Sequence, residues 1–358
     1  AQNIQFLVFL MAVIKGVDDY ADLMRIAAAG AGNDHRLGGN EAPPAIVSIF
    51  LGDELTAVLE SIEKDEYFGK HENIQLDTGA HVLPHFIKDN TDRNRTSPFA
   101  FTGNKFEFRM MGSSASVANP NIILNTAVAE ALAQFYAELK DTRAEEMEQA
   151  VHKLLKKAIL NHKKVIFNGN GYSEEWVKEA EKRGLFNLVS TPDCLPQFIA
   201  PKNVDLFTKH HILTKEEIYS RYEILLENYV KTIIIEARTM AEMLTKDFLP
   251  SVSAYAGEIS KNAASAKTFL PCADTSAEEA LGKALTDSYV SITEEIARLK
   301  ESIQDAATME DMQKAADFCH CELLSKMETL RLAANSAEEL IPDSMLPYPT
   351  YDQLLFSL

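Results

Sequence analysis

The segment Asn104-Lys105-Phe106-Glu107-Phe108-Arg109 alternates charged and aromatic residues at a period of two. That period belongs to a β-strand, whose successive side chains point to opposite faces. Phe106 and Phe108 therefore share one face and Lys105, Glu107 and Arg109 the other. The aromatic face needs cover, so the strand must lie against a core. The charged face sets a cation, an acid and a second cation roughly 6 to 7 Å apart, from a rise of about 3.3 Å per residue. A carboxylate flanked by cations can hold a metal ion while its neighbours hold anionic groups. The same row can equally be a solvated strand face closed by ion pairs.

Two upstream segments bear on that choice. Asp92-Arg93-Asn94-Arg95-Thr96-Ser97-Pro98 is a dense polar loop leading into the apolar Phe99-Ala100-Phe101. Gly32-Asn33-Asp34-His35-Arg36-Leu37-Gly38-Gly39-Asn40-Glu41-Ala42-Pro43-Pro44 is rich in glycine and proline and carries four ionisable residue types. Glycine opens backbone conformations closed to other residues, and the proline pair stops a helix. Loops of this kind on a rigid scaffold often carry catalytic residues. Turn chemistry alone could also explain them.

Taken in order, these segments resemble the second half of the catalytic domain of glutamine synthetase, and most closely its long type III branch. The resemblance rests on Arg36 with Glu41, Asn94-Arg95-Thr96, Glu107-Phe108-Arg109 and Ala118-Asn119-Pro120. It extends through the later helical part as general texture. It implies an α+β fold: part of the catalytic domain, with an incomplete β-sheet or barrel and helices, over residues 1–140, then a mostly helical domain over 141–358. It also implies ligation of ammonia to glutamate through γ-glutamyl phosphate, with ATP and Mg2+ or Mn2+. In this resemblance Glu107 is a metal ligand, and Arg36 and Arg109 hold the carboxylates of glutamate. Arg95 faces the transferring phosphoryl group, Lys105 is a further cation for ATP, and Glu41 sits on a flap and accepts a proton from ammonium. These roles suit the chemistry. Phosphoryl transfer is driven by positioning and cationic stabilisation, hard divalent ions take carboxylate oxygens, and guanidinium groups grip carboxylates or phosphates two-pronged.

The sequence departs from the family pattern in two places. A second loop arginine is expected five positions after Arg95, where this chain has Ala100, so that charge is missing or comes from Lys105 or Arg93. The chain also opens at Ala1 inside a helical pattern, without the β-grasp domain, first acidic strands and metal-binding histidine of the family. It reads as the C-terminal part of a longer polypeptide and is expected to be inactive alone. A γ-glutamyl ligase using another amine, and a non-catalytic assembly or regulatory module, are the rival readings. The family resemblance further implies homo-oligomeric stacked rings.

The 53 acids against 35 bases give a net charge of −18. That balance opposes non-specific nucleic-acid binding, which needs cations to displace counterions, and docking on anionic membranes. Cys194, Cys272, Cys319 and Cys321 are too scattered for a disulfide framework. Cys319-His320-Cys321 invites a metal reading, but residues two apart on a helix do not face each other. No apolar run is long enough to span a membrane, and a cytoplasmic location is expected.

Texture changes near residue 140, from mixed to nearly all helical. Spacing predicts helices over 5–29 and 53–64, and Asn119-Pro120 reads as a cap and first position. Thr142-Arg143-Ala144-Glu145 and Thr214-Lys215-Glu216-Glu217 match capping boxes, and Ser173 reads as a cap. The pattern 214–249 predicts a helix stopped by Pro250, followed by helices over 276–307 and 309–340. The tail Pro347–Phe356 is aromatic and apolar, and is expected to dock.

Overall fold

The computed structural model describes residues 4–38, 42–66, 75–76, 86–87 and 97–356. Helix dominates, and the strands are short, consistent with an α+β chain. The chain divides into two units, Ala1–Leu225 and Leu226–Leu358.

In the first unit the apolar N-terminal pattern forms α1 (Ile4–Asp19) and α2 (Ala21–Ala27), separated at Tyr20 rather than continuous as the spacing predicts. A one-turn α3 (Ala31–Asp34) follows Gly30. Then come β1 (Ile49–Phe50), α4 (Gly52–Glu63), the paired β2 (Gln75–Leu76) and β3 (Phe86–Ile87), β4 (Phe99–Phe101) and β5 (Phe106–Phe108). The sheet order is β1-β4-β5, with β1 parallel to β4 and β4 antiparallel to β5. Its second ladder pairs Phe99 with Phe108, Ala100 with Glu107 and Phe101 with Phe106. Four aromatics thus share one face: Phe99 stacks on Phe106 at 5.0 Å, Phe101 meets Phe106 edge-on at 5.3 Å, and Phe6 of α1 approaches Phe101 at 6.0 Å. The period-two pattern therefore does what it predicts. The turn between β4 and β5 places Gly103 at φ +94°, where a side chain would be strained.

Helix α5 (Ala118–Leu139) packs along α1. At Gly16 a Cβ would come within 3.0 Å of the Ala127 carbonyl, so the missing side chain permits that approach. The helix starts at Ala118, making Pro120 its third residue, and Val117 precedes it without a side-chain cap. The Asn-cap expectation fails there, because the Ser116 hydroxyl accepts from the Ala118 N–H instead. Helix α6 (Met147–His162) follows a short 3-10 turn at Ala144–Glu146, with no side-chain cap at either start, so the Thr142 box is not formed. In α7 (Glu174–Lys182) Ser173 does cap, accepting from the Trp176 N–H. Trp176 is buried with Ile46 and Ala180 and stacks on Phe167 at 3.7 Å. The unit closes with α8 (Thr191–Cys194), α9 (Pro201–Lys209) and the start of α10 (Lys215–Met243), whose Thr214–Glu217 box forms as expected. Helices α5 to α9 thus pack within the first unit, and the texture change near residue 140 is no boundary between the compact units.

Glu130 of α5 anchors α9. Burial raises its pKa, but hydrogen bonds from Lys209, Gln134 and His210 outweigh that and hold the carboxyl at about 2, against an ordinary 4.5. The unfolded chain then binds this proton before the folded one does. The stabilisation is complete above about pH 4.5 and is lost as pH falls towards 2. Glu130→Gln is expected to destabilise the unit at pH 7 on the order of 2 kcal/mol, since solvent around Lys209 screens part of the full shift. Urea midpoints at pH 7 and pH 3 check this: the gap between variant and parent narrows at the lower pH.

In the second unit α10 runs through a π turn at Leu244–Phe248 into α11 (Leu249–Phe269). Pro250 therefore sits in a first turn and does not stop the helix as predicted. The π turn shifts the hydrogen-bond frame where proline lacks its N–H. Helices α12 (Ser276–Thr308), α13 (Met312–Phe318) and α14 (Leu324–Glu338) complete a bundle around Leu285, Ile292, Leu299, Leu323 and Leu330. A second π turn at Cys319–Leu323 joins α13 to α14. It buries Cys319, whose thiol burial pushes up to about 11, and exposes Cys321, so the two sulfurs do not form a metal pair. The tail ends in α15 (Tyr351–Leu355). Tyr348 donates to the Met243 carbonyl, while Leu354, Leu355 and Phe356 are exposed. No described helix is long and apolar enough to cross a membrane.

Candidate active site

The polar face of β5 is built from the strand outward. Glu107 is half-exposed, and both of its oxygens are engaged. Oε2 accepts from Arg109 Nη2 at 3.0 Å and Nε at 3.2 Å, while Oε1 accepts from the Thr102 hydroxyl at 3.2 Å and lies 3.3 Å from Lys105 Nζ. These donors hold the carboxyl below the usual carboxylate range, Arg109 first and Lys105 next. Arg109 is 12% exposed and Lys105 65%, so the first is set in place while the second reaches into solvent. Ala100 is fully buried and directly opposite Glu107 in the ladder. An arginine there would stand beside the carboxylate, where Lys105 now supplies a positive charge.

Arg36 reaches this end of the sheet by a different route. Its Nη1 donates to Asn33 Oδ1 at 2.6 Å, and Asn33 Nδ2 donates to the Met110 carbonyl at 2.9 Å, one residue past Arg109. Asp34 anchors the same segment from behind. It accepts from Arg25 Nη2 at 2.8 Å, from the Thr191 hydroxyl at 2.9 Å and from the Thr191 N–H at 2.7 Å. Arg25 is 1% exposed, and it also donates to the Leu188 and Val189 carbonyls. Sequence reading missed Arg25 and Asn33. A lone arginine in an apolar helix and an asparagine in a Gly-rich turn carry no signal of their partners. Glu41 and Arg95, together with Arg93, lie outside the described residues.

A hard divalent ion needs six or more oxygen ligands. Here one carboxylate, already held by two cations, faces the site, and among the described residues no group of three ligand-bearing side chains includes it. These residues alone do not complete a site for a metal ion; Glu107 offers one carboxylate toward it. Three ligand-bearing side chains do converge at Asp18, Asp19 and His162, with His162 Nδ1 2.8 Å from Asp18. Lys15 lies 2.7 Å from Asp19 and Lys164 3.6 Å from Asp18, so the positive charge is already present. That cluster ties α1 to α6. A cavity of about 590 Å³ lined by Ile26, Asn119, Ile122, Phe198, Phe207 and Ile224 includes none of Arg36, Lys105, Glu107 and Arg109.

A strand face that sets one carboxylate between two cations, joined to an arginine-bearing Gly/Pro segment, sits ahead of residues 150–267, which match the family model of the glutamine synthetase C-terminal domain. Along its whole length the chain is similar to proteins named glutamine synthetase. It is 48% identical over 358 residues to the glutamine synthetase of Butyrivibrio fibrisolvens, covering 100% of this chain and 51% of that protein. It is 38% identical over 361 residues to the type-3 glutamine synthetase of Dictyostelium discoideum, covering 99% and 49%. Identity to the glutamine synthetase of Bacteroides fragilis (strain YCH46) is 34% over 367 residues, covering 99% and 50%. The chain spans about half the length of the curated relatives it matches.

Proposed function

We propose that this chain supplies part of the active site of a glutamine-forming ligase that joins ammonia to glutamate through γ-glutamyl phosphate at the expense of ATP. The observation that carries the reading is the Lys105-Glu107-Arg109 face with Arg36 held beside its end. In this reading residues 1–140 are the later part of the catalytic domain and 141–358 a helical domain. Arg36 and Arg109 bind the carboxylates of glutamate, and their planar donors orient its γ-carboxylate for attack. Lys105 and Arg95 face phosphate oxygens. Glu41 closes over the intermediate and takes a proton from ammonium, and closure excludes water from the acyl phosphate. Glu107 contributes one ligand to Mg2+ or Mn2+, which would supply charge neutralisation at the phosphates, and the remaining ligands come from outside the described residues. A cytoplasmic homo-oligomer with sites shared between subunits fits this scheme.

The test is glutamine formation by the complete polypeptide from glutamate, ammonia and ATP with Mg2+ or Mn2+, run beside a panel of primary amines. Turnover with ammonia well above every amine is the expected result. A preferred amine would reassign the enzyme to γ-glutamyl-amine synthesis, and no turnover with any nitrogen donor would overturn the ligase reading.

A further inference from the structure

We infer that Asn33 is a positioning residue for Arg36, fixing where its guanidinium meets substrate. The inference rests on the ligase reading above and adds a residue that the motif comparison does not assign. A long arginine side chain has many rotamers, and holding one of them requires a fixed acceptor. Asn33 is such an acceptor because its own orientation is set twice over. Its amide nitrogen has two protons, and both are used: one donates to the Ala28 carbonyl at 2.6 Å and the other to the Met110 carbonyl at 2.9 Å. Two carbonyls on that side exclude the flipped amide, which would turn its oxygen onto two others. Oδ1 must then face Arg36, and Nη1 donates to it at 2.6 Å.

The two anchoring carbonyls come from different parts of the unit. Ala28 is the C-cap residue of α2, and Met110 is fully buried just past β5. Asn33 itself lies in α3, with its N–H bonded to the Gly30 carbonyl. One side chain thereby ties the Gly/Pro segment to the strand that carries Arg109. Gly112 closes the arrangement: a Cβ there would lie 3.6 Å from both Arg36 Nη1 and Asn33 Oδ1, so its backbone passes directly beside the pair. An arginine set this way meets a carboxylate at a defined angle to Arg109. The same arginine without Asn33 keeps its charge and loses this fixed acceptor.

The experiment measures steady-state kinetics of the complete polypeptide with Arg36→Ala, Asn33→Ala and the double variant. Asn33→Ala is expected to raise KM for glutamate on the order of ten- to a hundredfold and to leave KM for ATP in place. The double variant should be no worse for glutamate than Arg36→Ala alone, because Asn33 acts through Arg36. Additive losses, or an unchanged glutamate KM in Asn33→Ala, would overturn the inference. Should alanine at position 33 prevent folding, Asn33→Ser takes its place, since its shorter hydroxyl cannot span Arg36 and both carbonyls, and the same glutamate-specific rise is required. If Arg36→Ala itself leaves the glutamate KM unchanged, the substrate role of Arg36 fails and takes the positioning role with it. A defect in Arg36→Ala with none at position 33 sinks the positioning role alone.

Discussion

Glu107→Gln in the complete polypeptide is expected to lower turnover by about a hundred- to a thousandfold, the range seen when one preorganised charge-stabilising group is lost. The substitution keeps the shape and the hydrogen bond from Thr102, and it removes one negative charge from between Lys105 and Arg109. Two effects follow. In the proposed scheme a ligand for a divalent ion disappears, and the two cations lose the anion that pairs with them. Folding should be nearly unaffected, because ion pairs on a half-exposed carboxylate contribute little to stability. The measurement pairs the glutamine-forming assay with thermal unfolding. Turnover within threefold of the parent would favour the rival in which the motif is a relic on an assembly module. Lost activity with an unchanged unfolding midpoint removes that rival, since no structural role of Glu107 could then explain the loss.

The legible part of this chain was its periodicity. Phe106-Glu107-Phe108 had to be a strand with one covered face, and the four-phenylalanine cluster on β4 and β5 is that cover. Caps were legible where the box residues were free to serve, as at Ser173 and Thr214. They misled at Asn119, where the Ser116 hydroxyl serves the helix start, and at Thr142, where a 3-10 turn precedes the helix. Pro250 misled for a physical reason too, because a π turn lets a proline enter a helix that sequence rules would end. In the site, the charged row on β5 and the Arg36 segment were readable as types and spacing. What holds them was not. The partners of Asn33 and Asp34 lie in α2, in α8 and at Met110 two residues past β5, and contacts across such sequence distances leave no local pattern.

Arg25→Met should destabilise the first unit by about 3 to 5 kcal/mol, the range for breaking a buried ion pair by removing one partner. Arg25 is 1% exposed and donates to three acceptors at once: Asp34, Leu188 and Val189. Methionine fills much of the volume and satisfies none of them. Two carbonyls then lose their donor, and the Asp34 carboxylate is left with Thr191 alone. Arg25→Lys should recover only part of the loss, because a single ammonium cannot match the planar fork that reaches an acid and two carbonyls together. Trp176 is the sole tryptophan and is buried in this unit, so its fluorescence during urea unfolding reports on the unit directly. Adding Asp34→Asn to Arg25→Met should return some stability, since it removes the uncompensated charge while keeping an acceptor for Thr191. A loss below about 1 kcal/mol in Arg25→Met would show that the pair repays little more than its own desolvation. The network would then serve to fix the segment's position, with its energetic weight carried by the apolar residues around it. The expected larger loss instead makes Arg25 the residue through which the fold of α2 and α8 holds the Asn33–Arg36 segment against the strand.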